Sequence, residues 1–208
     1  MTTQEKNGIT EGVIWKQLLI FFFPILVGSF FQQLYNTVDS VIVGQFVGKE
    51  ALSSVGGSAG QIISLVVGFF TGVSTGATVI ISQYFGAGKK EEIEESLHTA
   101  YAFALVGGLV LGIAGIVFAP QMLRWMNTPE ELIAESVLYV RVYFSGLIFI
   151  FIYNMGAAIL RAVGDSKRPL YYLIVCSVVN IILDLLLILV IPLGVLGAAI
   201  ATLIAQAV

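Results

Sequence analysis

Long apolar runs separated by short, turn-rich polar connections set the rhythm of this chain. A hydrocarbon core of about 30 Å needs about 20 predominantly apolar residues per helix, and that ruler predicts about six membrane-spanning helices. They lie near Trp15 to Val43, Leu52 to Tyr84, Leu97 to Ala119, Leu132 to Leu160 and Leu170 to Ile191, with a sixth opening at Leu196. The first, second and fourth runs are long enough to tilt or to extend beyond the bilayer. Most of the charge and the turn residues fall in four connections: Gly44 to Ala51, Gly86 to Glu95, Pro120 to Glu131 and Arg161 to Pro169. The sixth run, Leu196 to Val208, has 13 residues, roughly 20 Å of helix at about 1.5 Å each. That is too short to cross, and no Lys, Arg or aromatic anchor follows Gln206. The expectation is therefore a helix cut short, in a fragment of a longer protein.

Small residues recur at intervals of four along the second run, at Ser64, Gly68, Gly72 and Gly76, with Gly56 and Gly60 in a similar series. In lipid such stripes let helix backbones approach closely, so the second helix is expected to be central and its stripe to be a packing surface. Gly108 and Gly112 repeat the pattern more weakly on the third run.

Composition sharpens this picture. The chain is 58% hydrophobic and 11% charged, against about 25% charged in a soluble domain, and its mean hydropathy is +0.96. The net charge of −3 leaves no basic face for nucleic acid. Cys176 is the single cysteine, inside an apolar run, which excludes an internal disulfide and offers no metal-ligand spacing. The first apolar run lacks a cleavage pattern, so it is expected to stay in the mature protein. Lys6, Lys16, Lys89, Lys90, Arg161, Lys167 and Arg168 fall on the side of the N-terminus, while Lys49 and Arg124 fall on the other. An excess of Lys and Arg marks the cytoplasmic side, so a multi-pass protein of the cell membrane with a cytoplasmic N-terminal segment, residues 1–14, is expected.

Ionisable side chains deep in a bilayer cost several kcal/mol, so each is a functional candidate with a partner to be named. Asp39 lies in the outer half of the first run and Asp184 in the middle of the fifth. Gln32, Tyr35, Asn36 and Asp39 share one helical face by their spacing. Pro24, further up the same helix, removes a backbone hydrogen bond and can act as a hinge; the alternative is a fixed kink with a shallow, hydrated Asp39. Asn180 and Asp184 are four apart among Leu, Ile and Val, so the carboxylate must face another helix or a wet cavity. A carboxylate with amide and hydroxyl oxygens suits a hard cation such as Na+, and a carboxyl in apolar surroundings equally suits carrying a proton. A pair that only fixes helix register is the plainer reading. Asn154 is a candidate for a polar contact across helices, Arg141 and Glu135 are expected to snorkel or to pair, and His98 to be solvated.

The stretch Pro24 to Gly44, PILVGSFFQQLYNTVDSVIVG, the loop Arg161 to Pro169, RAVGDSKRP, and the run Asn180 to Asp184 together resemble the N-terminal lobe of the multidrug and toxic compound extrusion (MATE) family. The resemblance covers essentially the whole chain. It implies an all-α integral membrane fold: a six-helix transmembrane bundle, the N-lobe of a twelve-helix transporter, with its last helix truncated and the C-terminal lobe missing. It further implies antiport, in which a Na+ or H+ gradient drives export of drug-like, often cationic compounds, with no cofactor besides the coupling ion. Matched motif to motif, the cation site is Asp39, Asn180, Asp184 and Thr202, and Asn154 matches a polar residue of the same cavity.

Three rivals are weaker. A flippase for lipid-linked precursors, from the same superfamily, would want a cationic cavity, whereas the intramembrane charges here are mainly acidic. A membrane-embedded enzyme would gather acids, histidines or a nucleophile at one interface, and His98 is the sole histidine. In a non-transporting scaffold the buried carboxylates would be an unexplained cost.

Overall fold

A computed structural model of the protein describes residues 13–208; most of the 1–14 segment, with Lys6, lies outside the described residues. The described chain is helical almost throughout, without strands. Helix α1 (Ile14–Ile42) runs unbroken through Pro24 and widens into a π-helical turn, Val43–Val47. A short helix α2 (Lys49–Gly56) leads into α3 (Ser58–Gly86), and α4 (Lys90–Trp125) is the longest, at 36 residues. Helices α5 (Glu130–Ser145) and α6 (Leu147–Ala162) meet at a 50° bend. Helix α7 (Lys167–Asp184) passes directly into a second π-helical turn, Leu185–Val190, and α8 (Val195–Ala207) follows.

Four stretches are long and apolar enough to cross a membrane, and the bent α5–α6 pair makes five. Helix α8, at 13 residues, is an apolar helix of less than spanning length. The alternation defines two faces. The near face carries the start of α1 and the α3–α4 and α6–α7 connections, and the far face carries α2 and the α4–α5 and α7–α8 connections.

Several sequence expectations change. The segment 90–95 belongs to α4 rather than to a connection, because Glu91 and Glu92 in its first turn complement the helix dipole. Pro120 lies inside the same helix. The fourth run is broken at Gly146 rather than continuous. Its bend lets α5 pack on α8 and α6 on α3 while both hold α4.

The α3 stripe is not a packing surface. A Cβ on Gly68, Gly72 or Gly76 would meet nothing within 4 Å, and Gly60, Ser64 and Gly68 instead border a cavity. The close approach belongs to α4: a Cβ on Gly108 would lie 2.8 Å from the Ile148 Cα, one on Gly112 2.9 Å from the Phe144 carbonyl, and one on Gly115 would interpenetrate the Phe144 ring. Small residues admit either a helix or a void, and their spacing alone does not say which. The α3–α4–α6 junction is filled by Phe70, which stacks on Phe151 and Phe103 with centroid distances of 3.5 and 5.8 Å.

Arg141 and Glu135 do not pair with each other. The Arg141 Nε donates to the Ile116 carbonyl at 3.2 Å, and the Ser54 hydroxyl donates to Glu135 at 3.4 Å. Both contacts tie α5 to its neighbours on the far-face half.

Candidate functional site

Helix α1 packs chiefly on α7, with the bare Cα of Gly28 against Leu170 and Leu173. That pairing aligns the two acid-bearing helices, and their far ends meet where the two π-helical turns touch. Asp39 and Asp184, 145 positions apart in the sequence, thereby come within hydrogen-bonding reach of each other. Asp184 is fully enclosed and Asp39 is half-buried. Oδ1 of Asp39 and both carboxylate oxygens of Asp184 have no donor among the described residues. Two ionised carboxylates so placed repel each other, and a single proton between them, or a cation against both, converts that repulsion into attraction.

Asn180, one turn before Asp184 and buried, donates from Nδ2 to the Thr202 hydroxyl of α8 at 3.5 Å. Its Oδ1 is buried without a donor. Asp39, Asn180, Asp184 and Thr202 therefore form one cluster across α1, α7 and α8, and it presents acceptor oxygens in excess of donors. Such a set fits a proton or a hard, oxygen-loving cation. Each π-helical turn adjoins this cluster, in keeping with the frequent occurrence of such turns at functional positions.

The cluster lies at one end of a cavity of about 790 Å³ bordered by α1 to α3 and α5 to α8. Asp39 and Thr202 border it directly, whereas Asn180 and Asp184 lie behind them. Gln32, Tyr35, Asn36 and Asn154 line its wall, and Pro24 lies at its near-face end. Asn154 spends one amide proton on the Ile150 carbonyl of its own helix at 2.8 Å. His98 is exposed, with Nδ1 beside the Glu94 carbonyl at 2.8 Å.

Two further wall residues were not singled out in the sequence. Tyr139 and Tyr143 of α5 both line the cavity, with ring centroids 6.3 Å apart, and Tyr139 lies with Tyr35 near Asp39. Their i, i+4 spacing, which puts two phenols on one helical face, is the signal that would have found them.

The chain thus has an all-α, multi-pass membrane fold that holds paired acids behind a polar cavity. The chain belongs to the MatE family, whose profile matches residues 24–186. It is 34% identical over 208 residues to the probable multidrug resistance protein YoeA of Bacillus subtilis, covering 98% of this chain and 44% of that protein. With YpnP of the same organism, another probable multidrug resistance protein, identity is again 34%, over 96% of this chain and 44% of the relative. A multidrug resistance MATE family transporter of the MOP superfamily, solved in an outward-facing conformation, superposes with a TM-score of 0.91 at 27% identity, over 99% of this chain and 45% of that one. The chain thus spans about half the length of the relatives it matches.

Proposed function

We propose that this chain is the N-terminal lobe of a cation-coupled antiporter that exports drug-like, often cationic compounds across the cell membrane, with a second lobe completing the cavity. The observation that carries the reading is the juxtaposition of Asp39 and Asp184 at one end of a polar cavity. The family membership and the chain's match to about half of each relative support it. The protein acts as a transporter, not as an enzyme.

With both carboxylates ionised, the cavity attracts a cationic compound. Arrival of H+ or Na+ at Asp39, Asn180, Asp184 and Thr202 neutralises the acid pair and removes the attraction for the compound. The loss of repulsion lets α1 reorient on α7, with Pro24 as the point of bending, since no backbone hydrogen bond reaches back from its nitrogen. Coupling then follows from competition of two ligands for one charged site.

In this reading the near face is cytoplasmic. Lys16, Lys89, Lys90, Arg161, Lys167 and Arg168 lie toward it, and Lys49 and Arg124 toward the far face. The test is drug efflux by the full-length parent in vesicles under an imposed Na+ gradient and, separately, an imposed pH gradient. Efflux driven by either supports antiport and names the ion; none under both, with protein correctly inserted, overturns it.

A further inference from the structure

Toward the near face the large cavity adjoins a smaller recess of about 370 Å³ between α3 and α6, the two sharing Thr71, Asn154 and Arg161. Its chemistry is opposite to that of the acid pair. Arg161 is half-buried in the last turn of α6, where a helix-terminal arginine would ordinarily extend along the surface or pair with an acid. The nearest acid in sequence, Asp165, is already occupied. It pairs with Arg168 at 3.1 Å and accepts from the backbone N–H groups of Lys167 and Arg168. Among the described residues the Arg161 guanidinium has neither a hydrogen bond nor a carboxylate partner, and all five of its N–H donors are unspent.

The recess supplies a second, independent sign of a missing acceptor. Hydroxyls line the α3 wall, and Thr71, Thr75 and Thr78 each donate to a backbone carbonyl at 2.8 to 3.2 Å. Ser74, in the midst of them, does not. It is 3% exposed, borders the recess, and its Oγ has no partner. Asn154 keeps one amide proton beyond its bond to Ile150. Donors without acceptors are what an oxyanion requires, and a planar guanidinium fork matches a carboxylate bidentately.

The separation from the acid pair keeps the two sites independent. Arg161 shares the recess with Phe21 of α1, and Asp39 lies 18 residues further along that helix, roughly 27 Å at about 1.5 Å per residue. One small molecule does not bridge them, and neither charge cancels the other.

We propose that this recess is an oxyanion subsite, in which Arg161, the Ser74 hydroxyl and the free Asn154 amide proton hold the carboxylate of an anionic or amphoteric organic solute arriving from the near face. The proposal rests on the reading of the adjoining cavity as the substrate path, and it extends the substrate class beyond cations.

The test uses two dyes that differ only by an ester: rhodamine 110, which carries a free carboxylate, and rhodamine 123, its methyl ester. Binding to the purified full-length parent is followed by fluorescence anisotropy, with Arg161→Gln, Arg161→Lys, Ser74→Ala and Asp39→Asn variants. Arg161→Gln is expected to raise the Kd for rhodamine 110 about tenfold and to leave rhodamine 123 within about twofold, the retained ester binding showing an intact fold. Arg161→Lys should recover part of the loss, and Ser74→Ala should cost about threefold for the carboxylate alone. Asp39→Asn should leave the preference between the two dyes unchanged. Equal effects of Arg161→Gln on both dyes, or none on either, would overturn the subsite while leaving the substrate path standing. Absence of binding of both dyes to the unaltered protein would overturn the substrate path and the subsite with it. Adding phosphatidylglycerol provides the last arm: selective displacement of rhodamine 110 would reassign the recess to a lipid phosphate.

Discussion

Asn180 of α7 and Thr202 of α8 are joined by a buried hydrogen bond of 3.5 Å, and this link ties the helix that carries Asp184 to the last helix of the chain. The bond satisfies one Asn180 amide proton, while its side-chain carbonyl oxygen is buried without a donor among the described residues.

Replacing Thr202 by Val keeps the shape and removes the acceptor. The expected cost is about 1–3 kcal/mol, because Asn180 is then a buried amide without its partner. A lowered unfolding temperature of the full-length parent in detergent checks this, and Thr202→Ser should restore most of the loss.

The two glycine series separate by the same measurement. Gly115→Ala is expected to destabilise by about 1–3 kcal/mol, since its Cβ collides with the Phe144 ring. Gly72→Ala meets open space and should be neutral, or stabilising by up to about 1 kcal/mol, through helix propensity. The reverse order of unfolding temperatures would mean that α3, not α4, carries the tight interface.

What the sequence revealed and what it concealed divide along physical lines. Asp184 and Asn180 were legible because polar groups in a run of Leu, Ile and Val stand out as costly to bury, and Gln32, Tyr35, Asn36 and Asp39 because helical spacing puts them on one face. That Asp39 meets Asp184 depends on which helix packs beside which, and only the family resemblance linked the two. The bend at Gly146 was hidden because the α5–α6 run stays long and apolar across it. The π-helical turns after Ile42 and Asp184 are single-residue shifts of a hydrogen-bond ladder within sequence that remains a good helix former. Arg161 looked like an ordinary positive charge at a helix end until the structure paired Asp165 elsewhere.

Pro24 is buried within a continuous α1. Pro24→Ala restores a donor to the helix ladder, so the fold should be at least as stable. Export by the full-length parent is nevertheless expected to fall about tenfold or more if bending of α1 is part of the cycle. Unchanged export would show that α1 moves without a hinge at this position.

Orientation is checked by labelling. With Cys176 replaced, a cysteine in place of Lys90 should react with a membrane-impermeant maleimide only in opened cells, and one in place of Lys49 in intact cells. The opposite pattern would put the near face outside.

The most direct test of the acid pair is ion-driven drug efflux by the full-length parent in vesicles, compared among the unaltered protein, Asp39→Asn and Asp184→Asn. Each variant removes a charge but keeps the side chain's size, so each should insert normally, yet lose efflux and its dependence on the driving ion. Efflux that persists in both variants, with its ion dependence intact, would contradict the proposal that Asp39 and Asp184 couple the ion to the exported compound.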